Sequence, residues 1–321
     1  IRYRSYKLKK LAFRFGQILC LFTFVLMLLH YSLLLKYAKE GLLVWASCVL
    51  PLLLPFIILS KFWIRYKIPE LFFRQVQKLF PANDSIAVSL PLFLLGLCSG
   101  FPIGAVFISH YYQNKLLNKR LAQLLLPLAS FVSPMFVIGY VCSQMHLEGS
   151  LRFRYIFSLY LPVILSYLFI LLLENTNKKI PATHKNLRLH SDNTTASKVS
   201  LTESVFIPSL EIIFVIGIYM MIFSVLSGML MKLPLFQTPA LTFLLANLEV
   251  TTGIHLLAAK DVYTPEIMYA LTAAASSFGG MCTMAQVQTV ISHTDLSLKP
   301  YIVIKLLTSA ATFLLCIFLF N

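Results

Sequence analysis

The side chains that could bind a solute fall into four clusters of small polar residues, glycines and prolines, each inside an apolar stretch. Glycine and proline let a helix break, and the N–H groups freed at a break can hold an anionic or polar solute. The residues of the predicted site are Ser99, Gly100, Pro102, Ser130, Ser133, Pro134, Asn247, Glu249, Thr251, Thr252, Gly253, Ser276, Ser277, Gly279, Gly280, Thr283 and Gln286. Any single hydroxyl could instead bond its own backbone, and small residues also let helices pack closely, so the prediction rests on the set.

Glu249 is the only acidic residue in the middle of an apolar segment. An ionisable side chain at the centre of a bilayer costs about 2.5–3.5 kcal/mol and usually serves a function. Glu249 could carry a coupling proton, hold a sodium ion or bind a donor group of the solute. The alternative is that Glu249 caps a helix that begins near Thr251 and Thr252.

Signatures of catalysis are absent from the sequence. It contains no G-x-S-x-G, H-E-x-x-H, Walker or C-x-x-C motif. The six cysteines are not spaced as metal-binding or redox pairs. We therefore expect the protein not to be an enzyme and to bind no cofactor and no metal.

The composition indicates a polytopic membrane protein. Of 321 residues, 58% are hydrophobic and 12% charged, and the mean hydropathy is +0.80. The formal net charge of +15 could indicate a nucleic-acid partner. We prefer to explain the basic residues as cytoplasmic loop charges, so we expect a lipid bilayer and no nucleic acid as partners.

The apolar pattern divides the chain into two similar halves. The predicted units are a basic N-terminus with an extra transmembrane helix (1–40), a first repeat (41–173), a basic cytoplasmic linker (174–204) and a second repeat (205–321). Within the repeats we expect a cytoplasmic-surface amphipathic helix (61–80), a first interrupted hairpin (86–112) and a second (235–259). Paired interrupted segments of this kind are the best sequence indication of a transporter's solute site.

The charge distribution favours hairpins that enter the membrane and return on the same side. If 86–112 crossed the membrane, the loop at Lys115 and the basic linker would lie outside, against the positive-inside rule. Arms of about 12 residues reach about 18 Å, just past the middle of a 30 Å core. Hairpins of opposite sidedness make the halves inverted repeats and place Gly100 and Gly253 at turns near the midplane.

Several short motifs resemble the YlbJ family of sporulation integral membrane proteins, which carry a nucleoside-recognition Gate region. The motifs are 51–56 (PLLLPF), 99–105 (SGFPIGA), 133–139 (SPMFVIG), 248–253 (LEVTTG) and 278–280 (FGG) with Gln286 and Val287. The resemblance covers about residues 41–310 and implies a layout similar to that of concentrative nucleoside transporters. It also implies a small solute, nucleoside-like or an aromatic dicarboxylate such as dipicolinate.

We therefore expect an all-helical membrane transporter with a midplane site for a small polar or anionic solute. Transport would proceed by alternating access, coupled to a proton or sodium gradient or driven by downhill flow. The expected location is the bacterial cell membrane, with a cytoplasmic N-terminus, and a homo-oligomer is compatible with the sequence. The alternative is a non-transporting membrane scaffold or regulator that keeps a transporter fold.

Overall fold

The computed structural model describes residues 28–81, 84–176, 200–234, 238–258 and 263–321, with the isolated positions Gln17, Leu21 and Val25. Most of the predicted N-terminal unit (1–40), most of the linker, and Lys260 lie outside these residues. Every regular element of the described chain is helical and none is a strand. The expected all-helical class is confirmed.

Eight helices make up the first half of the described chain, and α7 contains a π-helical turn at Val137–Val141. They are α1 (Tyr31–Val44), α2 (Leu50–Arg65), α3 (Ile68–Leu79), α4 (Asp84–Ser99), α5 (Ile103–Gln113), α6 (Lys119–Ala129), α7 (134–144) and α8 (Gly149–Thr176). The second half contains α9 (Ile207–Leu230), α10 (Pro239–Ala246), α11 (Val250–Ala258), α12 (Pro265–Phe278), α13 (Gly280–Ile291) and α14 (Leu298–Phe320).

Five segments of the described chain are long and apolar enough to cross a membrane. They are Tyr31–Arg65, Lys119–Gln144, Gly149–Glu174, Thr202–Leu230 and Leu298–Phe320. Large apolar side chains on their outer faces are exposed, among them Phe153, Phe169 and Phe318. An apolar outer surface of this extent fits a lipid environment.

The first of these segments runs without interruption past residue 40, where we predicted that the extra transmembrane helix ends and the first repeat begins. Helix continues from Tyr31 to Arg65 through a π-helical turn at Trp45–Val49, and Lys36, Lys39 and Glu40 lie within α1. Residues 33–43 (LLLKYAKEGLL) consist largely of Leu, Lys, Ala and Glu, which are strong helix formers. The 35 residues of the whole segment span about 52 Å, well beyond the hydrocarbon core.

The amphipathic helix α3 begins later than the sequence predicts. Residues 61–65 continue α2, and Lys67 then adopts a left-handed conformation (φ 53°) that turns the chain into α3. Phe73 is buried beneath α3, whereas Leu71 and Leu79 are exposed. The helix therefore packs on the bundle through one apolar edge and presents another outward, as a surface helix at a bilayer does.

Polar contacts join helix ends at two opposite ends of the bundle. At one, which we call the Asp295 end, Lys119 forms an ion pair with Asp295 (2.7 Å), and the Gln123 side chain bonds both the N–H and the carbonyl of Ser297. At the other, the His255 end, His255 Nδ1 lies 3.2 Å from Gln144 Oε1. Each contact links the first half of the chain to the second.

The Asp295 carboxylate is held in its charged form. The hydrogen bond from Lys119, and then that from Tyr112, hold the pKa of Asp295 below its usual value. A lowered pKa means that the ion pair persists at neutral pH and weakens only as the pH falls through that lowered value.

Candidate functional site

The first helix break, at 100–102, separates α4 from α5. Gly100 has φ +83°, and a Cβ there would come 2.9 Å from the Cβ of Ser133. Gly96 before the break and Gly104 after it both lie against the carbonyl oxygen of Ala129. A Cβ added at Gly96 would come 2.6 Å from that oxygen, and one added at Gly104 would come 2.0 Å from it. The absence of side chains at these positions thus lets the end of the α4–α5 pair lie directly against the end of α6.

The second break lies at 247–249, between α10 and α11, and not at Gly253. The prediction of a turn at Gly253 is wrong, because α11 runs through this residue as regular helix. Gly253 instead permits close packing: a Cβ there would lie 2.2 Å from the carbonyl oxygen of Ala246 on α10. Asn247, which ends α10, is the residue at which the helix breaks.

The chain is also unwound at two further places, between α6 and α7 and between α12 and α13. Between α6 and α7, Ser133 caps the new helix by accepting a hydrogen bond from the N–H of Phe136 (3.3 Å). Between α12 and α13, Gly279 and Gly280 have φ of +85° and +80°, a conformation that favours glycine. The Thr283 hydroxyl donates back to the carbonyl of Gly279 (2.8 Å).

Main-chain hydrogen bonds join the second break to the N-terminus of α13. The N–H of Met281 donates to the carbonyl of Asn247 (2.8 Å), and the N–H of Cys282 donates to that of Leu248 (2.9 Å). The Tyr140 hydroxyl on α7 donates to the carbonyl of Thr251 (2.8 Å). The break therefore lies against helices of both halves.

A cavity of about 40 Å³ lies where the breaks converge. Its lining includes six residues of the predicted site, and the remaining lining residues described are mainly apolar. The predicted residues are Gly100, Ser133, Glu249, Thr251, Thr283 and Gln286; the others are Val49, Leu53, Phe101, Val132, Phe136, Ile216, Met220, Val250 and Cys282. The volume is enough for a few water molecules.

The other predicted site residues surround the cavity without being part of its described lining. They are Ser99, Pro102, Ser130, Pro134, Asn247, Thr252, Gly253, Ser276, Ser277, Gly279 and Gly280. Ser130, Ser276 and Ser277 are fully buried. Pro102 precedes α5, and Pro134 is the first residue of α7. Of this set, Pro102, Ser130, Asn247 and Gly279 lie at the breaks, whereas Thr252, Gly253, Ser276 and Ser277 lie within helices.

The apolar wall of the cavity was not predicted. Val49 ends the π-helical turn between α1 and α2, Leu53 lies in the first turn of α2, and Ile216 and Met220 come from α9. Each pair is spaced by four residues, which places both side chains on one helix face. That spacing was visible in the sequence, but apolar side chains at such a spacing face lipid as often as they face a cavity.

The Glu249 carboxylate accepts hydrogen bonds from four donors at the N-terminus of α11. Oε1 accepts from the N–H of Thr251 (3.0 Å). Oε2 accepts from the N–H of Thr252 and its hydroxyl (both 2.7 Å) and from the hydroxyl of Thr251. This is the cap that the sequence suggested as an alternative role. Oε1 accepts one of the four bonds and Oε2 accepts three, so Oε1 is the oxygen that retains acceptor capacity.

Several N–H groups that the breaks were expected to free for a solute are already bonded. Those of Thr251 and Thr252 donate to Glu249, and those of Met281 and Cys282 donate to main-chain carbonyls. The described lining of the cavity contains one carboxylate and neither lysine nor arginine. Its polar surface therefore consists chiefly of side-chain hydroxyls, the Gln286 amide and the Glu249 carboxylate.

Lys305 is a buried basic residue that the sequence did not lead us to place in the site. Its side chain is 0% exposed, its ammonium donates to the carbonyl of Ser277 (3.2 Å), and it lies 4.7 Å from the centre of the Phe131 ring. A charged hydrogen bond contributes about 1.5–3 kcal/mol and a desolvated cation–π contact about 2 kcal/mol. Together they offset an insertion cost of about 2.5–3.5 kcal/mol. The signal that selected Glu249, a lone ionisable residue in an apolar span, also applies to Lys305.

The chain is similar to the sporulation integral membrane protein YlbJ of Bacillus subtilis (strain 168). The two are 24% identical over 323 residues, which cover 89% of this chain and 78% of that protein. No protein-family model matches the chain, and no solved structure matches it. The resemblance predicted from the short motifs is thereby confirmed.

Proposed function

From this similarity to a sporulation membrane protein, we propose that the chain is an integral membrane transporter of a small polar solute. The solute would bind in the cavity at the converging breaks and cross by alternating access. The observation that carries the proposal is the cavity itself, because Gly100 and Ser133 of the first half meet Glu249, Thr283 and Gln286 of the second. Irregular backbone at membrane depth is tolerated where it lines a cavity or is buried in protein.

The contacts between helix ends support a re-entrant second hairpin. The charge distribution assigns the loops at Lys119 and Asp295 to one side of the membrane, and they form an ion pair. Arg120 and Glu174, which the same topology places on that side, also pair (3.2 Å). Gln144 and His255, assigned to the opposite side, lie together. The Lys119–Asp295 and Gln144–His255 pairs support a re-entrant α10–α11 hairpin, because a full crossing there would place the partners of each pair on opposite sides of the membrane.

The size of the cavity corresponds to a closed state of such a transporter. Sites for small molecules commonly occupy about 300–1,000 Å³, far more than the space present. Solute entry would therefore require that either the Asp295 end or the His255 end opens. Opening one end while the other stays closed is the defining step of alternating access.

The charges at the cavity favour a nucleoside-like solute over an aromatic dicarboxylate. Glu249 places a carboxylate at the wall, no basic side chain is present in the described lining, and Oε1 retains an acceptor position. A solute with N–H or O–H donors would satisfy that oxygen. A dianion such as dipicolinate would meet a like charge in a space of low dielectric constant.

The test is solute flux into vesicles that contain purified protein, measured with uridine and with dipicolinate. We expect uridine uptake, and we expect Glu249→Gln to lower it at least about tenfold at matched protein amounts, since about 1.4 kcal/mol of lost interaction has that effect. Glu148→Gln, at an exposed glutamate outside the cavity, is the matched control and should leave uptake unchanged.

Three other outcomes are informative. If Glu249→Gln takes up uridine at nearly the wild-type rate, the role of Glu249 is to cap α11 and not to bind the solute. Uptake of dipicolinate without uridine would overturn the preferred solute. Vesicles that take up neither solute faster than protein-free vesicles would favour the non-transporting scaffold.

A further inference from the structure

The ammonium of Lys305 lies between two helix breaks, that between α6 and α7 and that between α12 and α13. It contacts Ser277, next to the break between α12 and α13, and Phe131, in the break between α6 and α7. Helix α14, which carries Lys305, packs against α12, α8 and α6. Lys305 is therefore enclosed on several sides by helices rather than directed toward water.

The surroundings of this ammonium are suited to a cation. Ser277 is among the last residues of α12, where carbonyls lack an intrahelical partner and the helix dipole is negative. The Phe131 ring presents the negative face of its π-system, and the Tyr301 ring lies 5.8 Å from the ammonium. Unwound carbonyls and half-helix C-terminal ends of this kind hold free cations in membrane transporters.

The ammonium forms no ion pair with any acidic side chain in the part of the chain that the structure describes. Its positive charge is met by a carbonyl oxygen and by aromatic rings. Those are the groups that bind alkali and organic ammonium ions without neutralising them. The contacts of the ammonium are therefore ones that a free monovalent cation makes as well.

We propose that the C-terminal end of α12 and the ring of Phe131 form a binding site for a monovalent cation, and that Lys305 supplies this cation from within the chain. Shortening the lysine then leaves an empty site for a small free ammonium ion. The proposal concerns the site alone and does not depend on whether the chain transports a solute.

The test is the thermal stability of purified Lys305→Ala protein with added n-propylammonium chloride, the fragment that the substitution removes. We expect the variant to melt below wild type and to recover about 2–4 °C at saturating n-propylammonium. Sodium chloride at the same ionic strength controls for salt, and n-propanol controls for filling the cavity without charge. Lys299→Ala, an exposed lysine on the same helix, should show no specific gain.

Equal recovery with n-propanol, or no recovery with n-propylammonium, would overturn the proposal. If Lys305→Ala does not fold, Lys305→Met and Phe131→Leu form a double-mutant cycle. We expect Phe131→Leu to lower the melting temperature less in the Lys305→Met background than in wild type, because the ring then has no cation to bind. Strictly additive losses would mean that the ring and the ammonium do not interact, and the cation site would be rejected.

Discussion

At Gly253 the backbone of α11 lies against α10 so closely that no side chain fits. A Cβ would come 2.2 Å from the carbonyl oxygen of Ala246, and a main-chain atom cannot move aside as a flexible side chain can. Gly253→Ala should therefore destabilise the protein by about 1–3 kcal/mol, the usual cost of overpacking. The measurement is thermal unfolding of the purified variant.

Gly139→Ala is the matched control for this prediction. Gly139 is also a helical glycine, but a Cβ there would meet nothing within 4 Å. Alanine has the higher helix propensity, so Gly139→Ala should be neutral or stabilising. Equal melting temperatures for the two variants would mean that α10 and α11 are not in the close contact described.

Single residues also show how far the sequence could predict the site. Ser133, Thr283 and Gln286 were identified because polar residues are rare in apolar spans and therefore conspicuous. Glu249 was identified by the same rule, but its four donors depend on how α11 begins, which periodicity does not reveal. Lys305 meets the same rule but was not selected, and its partners Phe131 and Ser277 are set by tertiary packing, which the sequence does not reveal.

At the scale of helices, the ion pair at the Asp295 end connects the start of α6 to the loop before α14. Alternating access would require this end to open during each cycle. Lys119→Cys with Asp295→Cys, joined by a short bifunctional thiol reagent in a background without other cysteines, should abolish uptake. The measurement is uridine flux into vesicles before and after cross-linking.

Lys119→Cys alone, treated with the same reagent, is the control and should retain its uptake. Cleavage of a reducible cross-link should restore flux in the double variant. Full uptake by the cross-linked protein would show that this end does not open during transport.

The helices also show what sequence periodicity resolves and what it does not. The break at 100–102 was predicted from Gly100 and Pro102, both strong interruptions of a helix. We predicted the second break at Gly253, whereas it lies at 247–249. Asn247 is a weaker signal of a helix end than glycine, and Gly253 serves close packing instead of a turn. The predicted boundary at residue 40 lies within helix, since charged residues alone do not end a helix of good formers.

For the whole molecule, the arrangement of helix ends predicts sidedness. Cysteines introduced singly at Lys115 and Lys260 should be labelled from opposite sides of the membrane by an impermeant thiol reagent, with Lys115 on the cytoplasmic side. Lys260 lies outside the described residues, so labelling would extend the topology beyond them. The measurement compares intact cells with inverted vesicles.

Cysteine at Glu148, near the His255 end, provides a second position that should behave as Lys260 does. Labelling of the Lys115 position from outside the cell would exclude a re-entrant α4–α5 hairpin, and with it the inverted repeat.

The joint between the second break and α13 consists of main-chain atoms alone. The N–H groups of Met281 and Cys282 and the carbonyls of Asn247 and Leu248 are present whatever side chains these positions carry, proline at the two donors excepted. Mutation can therefore replace the side chains at these four positions without deleting the hydrogen bonds that hold the two segments together. Related proteins could therefore differ in sequence at these four positions and still form the same hydrogen bonds. Sequence identity would then underestimate how well this part of the structure is conserved between them.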